Sequence, residues 1–393
     1  MILVSTIFFW FCVVLLFHSY FFYPFLLKIL AKGKKINDLI FDKQNLPKVA
    51  IVIAAYNEEK VIEEKLISSL KTNYPNSLFQ IFIGSDCSSD KTAEIVNRIS
   101  ATTAKITFLD YKERGGKQEV LNKLFKKEIL EKDFDVCIMT DANIIFNEDT
   151  IYELVKHFEN KKIGIVCANI KNKNIKEKGI SKQEQFYILN ENETKINEGK
   201  VFSSSIAAFG ACYAIKRNLI PKIPTNILME DFFISMHVLK QKFDIITEPK
   251  ALCYEDLPQN INEEFKRKKR ISTGNFQNLF IYFDMLFTAR FGIAFSFFSH
   301  KVIRWLGPFL MLIAYISLWV LSGQKFYLYL LLLSHVIFAL AILDYILFAV
   351  NINVNLLRLL RYFITMNIAL FLGFIIFVKG VKTNIWQPTT RNE

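Results

Sequence analysis

Met1 to Leu27 contains no Asp, Glu, Lys or Arg. About 20 predominantly apolar residues suffice to cross a bilayer, so this stretch can span one. It lacks a positively charged start and a small-residue cleavage site, and so reads as a retained anchor rather than a removed signal. Further apolar stretches lie at about Val302 to Leu321, Phe326 to Val350 and Tyr362 to Val378, whereas residues 28 to 270 are rich in Lys and Glu. The chain therefore reads as a soluble domain set between one N-terminal and three C-terminal spans. The high apolar content, 52% of 393 residues, is concentrated in those spans.

Lys28, Lys32, Lys34 and Lys35 follow the first stretch. By the positive-inside rule they put the N-terminus outside and the soluble domain in the cytoplasm of a multi-pass cytoplasmic-membrane protein. The same rule strains at the other end: three C-terminal spans place the tail outside, while Lys379, Lys382 and Arg391 would prefer the cytoplasm. The net charge of +12 owes much to Lys171–Lys182 and Lys266–Arg270. Beside membrane spans, such charge suits anionic headgroups and diphosphates better than nucleic acid. Six cysteines without a Cys-x-x-Cys pair read as buried thiols, not disulfides or zinc ligands. The expected divisions are an anchor at 1–30, a catalytic-type domain at 47–262, basic and interfacial helices at 263–300, spans at 301–380 and a tail at 381–393. Asp344, inside the middle span, must face protein or water, and an interfacial structural role is as good a reading as a functional one.

Within the domain, short β-rich runs alternate with helical patterns: strands at Val49–Ala55, Phe79–Ile83, Ile106–Leu109, Asp135–Asp141 and Ile163–Cys167, with helices after the first four. Such alternation predicts an α/β, doubly wound and mostly parallel sheet. Lys171–Lys182 reads as a solvated loop, Gln183–Asn197 as a helix, Phe209–Ile215 as a strand, and Glu230–Asp231 as the start of another helix. Glu263–Phe287 begins basic and turns aromatic, the pattern of a helix descending onto a membrane surface.

Candidate chemistry collects at the strand ends. In open α/β sheets the ligand crevice lies outside the carboxyl ends of the strands, where Asp141 emerges as a candidate metal ligand. Taken alone, Asp141 reads equally as a helix cap, Asn57-Glu58 likewise, and Asp86 as an Asx-turn residue. Gly115-Gly116-Lys117 opening a helix suits a phosphate, because backbone N–H groups and the helix dipole favour anions there. The order of these segments at successive strand ends is what makes them specific.

With Ala54-Ala55-Tyr56-Asn57-Glu58, Ser85-Asp86-Cys87-Ser88-Ser89-Asp90, Arg114-Gly115-Gly116-Lys117, Thr140-Asp141-Ala142-Asn143, Gly210-Ala211-Cys212-Tyr213-Ala214, Glu230-Asp231 and the basic Arg267–Arg270 segment, the chain resembles a membrane-bound family 2 glycosyltransferase of GT-A fold, related to the polysaccharide synthase-like members. The resemblance implies that Tyr56, Glu58 and Asp86 hold the uridine of a UDP-sugar and that Lys117 meets its phosphate end. It makes Asp141 the first acid of the family's Asp-x-Asp, with Asn143 in the third position, leaving one carboxylate fewer for a weakly held Mg2+ or Mn2+. It also places Asp231, beside Glu230, at the catalytic base, and Arg270, with Arg267 as a second contact, at the leaving diphosphate. Processive members carry Gln-x-x-Arg-Trp where this chain has Arg267-Lys268-Lys269-Arg270-Ile271, so the aromatic acceptor platform is missing.

The resulting expectation is an inverting hexosyl- or N-acetylhexosaminyltransferase acting on a membrane-proximal or lipid-linked saccharide acceptor in envelope or exopolysaccharide synthesis, with partner proteins of an export system possible. The alternatives are a processive β-polysaccharide synthase that couples polymerisation to export, and an inactive scaffold homologue within a polysaccharide complex.

Overall fold

The computed structural model describes residues 1–37, 39–42, 45–173, 180–256, 260–350, 352 and 354–381. The element order is α1 (Ile2–Phe17), α2 (Tyr23–Leu30), β1 (Val49–Ala55), α3 (Ile62–Leu70), β2 (Phe79–Asp86), α4 (Thr92–Ser100), β3 (Ile106–Tyr111), α5 (Lys117–Leu124), β4 (Val136–Asp141), β5 (Ile145–Phe146), α6 (Thr150–Val155), β6 (Ile163–Lys173) and α7 (Ser181–Phe202). It continues with β7 (Cys212–Lys216), α8 (Glu230–Lys240), β8 (Asp244–Asp256), α9 (Ile261–Ile281), α10 (Phe291–Ser296), α11 (Ile303–Trp305), α12 (Gly307–Leu321), α13 (Lys325–Ala349) and α14 (Asn355–Lys379).

The eight strands form one sheet in the order β3-β2-β1-β4-β7-β6-β8-β5. Its first half is parallel: β1 pairs with β2 and β4, and β2 with β3. β7 then runs antiparallel to both β4 and β6, β6 and β8 are parallel, and β5 closes antiparallel on β8. Four of these seven pairings are parallel, so the sheet is mostly parallel as the alternation predicts, with β7 and β5 making it mixed. Every residue of β1 is buried, because helices cover both faces of a central strand. At about 1.5–3 kcal/mol for each large apolar side chain so buried, this strand anchors the core.

Several sequence expectations shift in the fold. β7 begins at Cys212, three residues later than expected, since Phe209–Ala211 loops toward α8. Lys171–Lys173 is not solvated loop but the end of β6, paired with β8, while 174–179 lie outside the described residues. β8, the longest strand with 13 residues, and the two-residue β5 carry no clear alternating pattern, because charged residues interrupt β8 and partners distant in sequence define both. All six cysteines are free, and only Cys87 is not buried.

Among the described residues three helices, Ile2–Leu30, Lys325–Ala349 and Asn355–Lys379, are long and apolar enough to cross a membrane. The stretch expected at Val302–Leu321 is instead the end of a bent pair, Phe291–Trp305 and Gly307–Leu321, which meets at 62°. α12 alone has 15 residues, a length of about 22 Å, short of a hydrocarbon core of about 30 Å. α1 packs on α12 through Phe9, Cys12, Leu310, Ala314 and Leu318. Asp344 is fully buried and pairs with Arg361 at 2.8 Å and Arg358 at 3.3 Å, so it faces protein and joins α13 to α14.

A buried polar clamp ties the membrane-type helices to the domain. His300 lies between Glu191 (2.8 Å) and Glu198 (2.7 Å) of α7. Tyr23 of α2 donates to Glu198 at 2.9 Å, and Lys301 and Arg304 pair with Glu191. Each charge here has an opposite partner, which is the condition for burying it at all.

Candidate active site

The carboxyl ends of β1, β2 and β4 open on one side of the sheet, and their turns are cross-linked. Asn57 and Cys87, each with positive φ (52° and 59°), turn the chain sharply after β1 and β2. Ser89 N–H donates to Asn57 Oδ1 at 2.8 Å, joining the two turns. Non-glycine residues in this region are strained, and such strain clusters at functional loops.

Beyond these ends lies a cavity of about 410 Å3 lined by Glu58, Lys117, Asp141, Asn143, Glu230, Asp231, Arg267 and Arg270, among others. Eight of the sequence-predicted site residues therefore meet in one place, although they come from five separate segments. Tyr56 and Asp86 stand outside the lining. Asp86 is fully buried, and its carboxylate accepts from Arg114 Nε at 3.0 Å, Gly115 N at 2.7 Å and Gly116 N at 3.1 Å. It thereby fixes the Gly-Gly turn that starts α5. The Arg114 guanidinium covers the Tyr56 ring at 3.3 Å, a stacked cation–π contact.

Lys117, on the first turn of α5, bridges Asp141 Oδ1 at 2.7 Å and Glu230 Oε1 at 2.6 Å. Burial works against its charge, but the two carboxylates outweigh burial and hold the ammonium above its ordinary pKa. Asp231 follows Glu230 at the start of α8. Burial first, and then the neighbouring Glu230 charge, push its carboxyl up to about 6. Gly210 allows this placement: a Cβ there would stand 2.6 Å from Asp231 Oδ2. Only glycine lets the 209–211 loop pass so close to the carboxylate.

The α9 cations differ in their engagement. Arg267 lies 3.3 Å from Glu264 and 3.7 Å from Glu184. Arg270 lines the cavity and makes no ion pair with any described residue.

Two cavity residues escaped sequence reading. Glu255 of β8 accepts from Asn143 Nδ2 at 3.4 Å, and burial raises its carboxyl above the ordinary value against the pull of Arg267. It brings to the Asp141 side a carboxylate that the Asp-x-Asn pattern lacks, and its only sequence signal was an acid at the end of an unrecognised strand. Trp305 lines the cavity from the bend before α12, its ring 5.2 Å from Phe232 beside Asp231. It provides an indole that position 271 does not, and the break of the apolar pattern at Arg304 was its only trace. Deeper behind Asp141, Lys65 is fully buried, donates to Thr140 at 3.1 Å and is lowered to about 8 by burial.

Comparison with known proteins places this geometry. The chain matches Glycosyl transferase family 2 over residues 50–223 and Glycosyl transferase family group 2 over residues 137–378. It is 26% identical over 258 residues to a poly-beta-1,6-N-acetyl-D-glucosamine synthase of Staphylococcus epidermidis, covering 63% of this chain and 60% of that one. With the corresponding synthase of Staphylococcus aureus (strain COL) it is 26% identical over 251 residues, 62% of this chain and 58% of that one. The chain thus spans about 60% of the length of the curated relatives it matches. A mannosyltransferase from Pyrobaculum calidifontis, solved in complex with GDP-Man and Mn2+, has a TM-score of 0.72 at 20% identity over 94% of this chain and 99% of that one. That likeness shows the expected fold, and the matched families cover both the sheet and the helices that follow it. The chain belongs to glycosyl transferase family 2.

Proposed function

We propose that this protein is an inverting, UDP-sugar-dependent transferase that adds a sugar to a saccharide acceptor at the cytoplasmic face of a membrane, in exopolysaccharide synthesis. The observation that carries the reading is the placement of Asp231, a buried carboxylate pushed up to about 6, across one cavity from Lys117, Asp141 and Arg270, which pairs with no acid among the described residues. A base whose pKa lies near working pH takes the proton from an attacking hydroxyl efficiently. Attack on the anomeric carbon from the side opposite the nucleotide inverts its configuration, so an α-linked donor yields a β-glycoside.

The residues present fit a divalent cation. Asp141 faces the cavity with 38% of its side chain exposed and already holds one cation, the Lys117 ammonium. Asn143 and Glu255 add hard oxygen atoms nearby, which suits Mg2+ or Mn2+. Among the described residues no group of three or more His, Cys, Asp or Glu forms a closed metal cage, so Asp141 would hold the ion with water and phosphate oxygens completing its shell. Such an ion supplies charge neutralisation at the diphosphate. Arg270 and Lys117 stabilise the charge left on the nucleotide diphosphate. A nucleobase reaches Tyr56 and Asp86 only by displacing Arg114, whose guanidinium now covers the ring.

Extension of a polymer, rather than addition of one or a few sugars, is a second reading. It is favoured by Trp305 at the cavity wall and by the name of the Staphylococcus relatives. A panel of nucleotide sugars with purified full-length protein, scored by nucleotide release and product mass, tests both. Release from no nucleotide sugar would leave the scaffold alternative standing.

A further inference from the structure

We propose that α14 lies flat on the bilayer surface instead of crossing the bilayer, so that Lys379 ends on the same side as the catalytic domain. This goes beyond the proposed activity and rests on packing.

α14 runs beside α9 along most of its length. Tyr362 and Met366 pack with Ile261 and Phe265 near one end. Ser272 Oγ donates to Leu370 O at 2.7 Å, and Thr273 Oγ1 to Gly373 O at 3.0 Å. A Cβ on Gly373 would lie 2.6 Å from Lys269 O, so the two backbones touch there. Near the other end Phe276 meets Phe374 at 4.9 Å and Phe280 meets Phe377 at 5.2 Å.

α9 cannot accompany a spanning helix into hydrocarbon. It carries Arg267–Arg270, Asn275, Gln277 and Asn278, and polar side chains in a bilayer core are costly. It is also bonded to the catalytic domain from end to end. Lys268 pairs with Glu184 at 3.2 Å, Gln277 Nε2 donates to Asn226 O at 2.8 Å, Asn278 Nδ2 to Met229 O at 3.2 Å and Tyr282 Oη to Phe233 O at 3.1 Å. A helix parallel to α9 therefore follows the domain surface.

The remaining contacts agree. The apolar cluster that joins α1, α12 and α13 contains no residue of α14 among those described. α14 meets α12 at its first turn, through Phe309 with Phe371 at 5.3 Å and Phe374 at 4.9 Å. Near its start the exposed Leu356, Leu359 and Phe363 share one side, while the buried Arg358, Tyr362, Ala369 and Gly373 share another. A helix with one bare apolar side and polar groups on its buried side suits an interface. Phe280, Phe287 and Phe291 extend the bare face as an exposed aromatic rim, the chemistry of a headgroup belt. The partner is thus a lipid surface. Three crossings remain, formed by α1–α2, by α12, which packs with α1 and α13 and whose 15 residues cross where the bilayer thins locally, and by α13, and Lys379 returns to the side that the positive-inside rule prefers.

The test labels single cysteines in the full chain with a membrane-impermeant maleimide, in intact and in opened cells, above the background of the unsubstituted protein. Lys379→Cys is expected to behave as Lys34→Cys, reacting about tenfold more after opening, whereas Gly323→Cys reacts in intact cells. Reaction of Lys379→Cys in intact cells overturns the proposal. Equal behaviour of Lys34→Cys and Gly323→Cys would remove the bilayer between them and the proposal with it, whatever the fate of the transferase reading, which nucleotide release tests separately. A second measurement places nitroxides at the exposed Leu356 and Phe363, which share one side of α14, in purified protein in phosphatidylcholine–phosphatidylglycerol vesicles. Similar depths are expected, while a crossing helix would set Phe363 about 10 Å deeper.

Discussion

The Nζ of Lys117 lies 2.7 Å from Oδ1 of Asp141, so the carboxylate at the end of β4 is held by a cation before any donor arrives. Shared with the buried Glu230, this ammonium offsets the repulsion between the two carboxylates and faces the phosphate end of the cavity. Lys117→Met should therefore weaken nucleotide binding and leave Asp141 and Glu230 in mutual repulsion. Calorimetric titration with UDP is expected to read at least a tenfold loss; unchanged affinity would remove Lys117 from the donor site.

Asp231→Asn should retain the fold and UDP binding and lose transfer by about 10²–10⁴-fold, the usual size of a general-base contribution. Since Asp231 works unprotonated and its carboxyl is raised to about 6, the wild-type rate should climb tenfold per pH unit below that value and level off above it. A profile that is flat from pH 4.5 to 7.5 would assign the base elsewhere.

Removal of divalent metal with EDTA should abolish transfer, and Mg2+ or Mn2+ should restore the wild type but not Asp141→Ala. Glu255→Gln should raise the metal concentration needed for half activity severalfold, because it withdraws the second carboxylate near Asp141. Full activity in chelator would refute both statements.

Asp344→Ala removes the buried carboxylate that pairs with Arg361 at 2.8 Å and Arg358 at 3.3 Å. Breaking a buried ion pair by removing one partner costs about 3–5 kcal/mol, so thermal unfolding of the detergent-solubilised protein should shift down by several degrees. An unshifted transition would mean that water already reaches this cluster.

Trp305→Leu should shorten products if the indole holds the growing saccharide. One aromatic stacking contact is worth about 0.5–1.5 kcal/mol, up to roughly tenfold in release rate. An unchanged size distribution would show that the acceptor does not rest on this ring.

The sequence alone determined the anchor, the alternation of β1 to β4 with their helices, and the positions of Lys117, Asp141 and Asp231. These depend on local signals: apolar runs of one length, acids at strand ends and glycines before a helix. Tertiary structure decided the rest. β8 became a strand because β6 pairs with it over Ile163–Lys173, and no local pattern outweighs its charged residues. Glu255 entered the site only because that pairing carried it there, and Trp305 because the chain bends by 62° before α12. Hydropathy likewise reads α14 as a span, since it measures the apolar content of a segment and not its neighbours. The neighbour is α9, a polar helix fastened to the catalytic domain, and close packing of two helices forces them to share one orientation to the membrane.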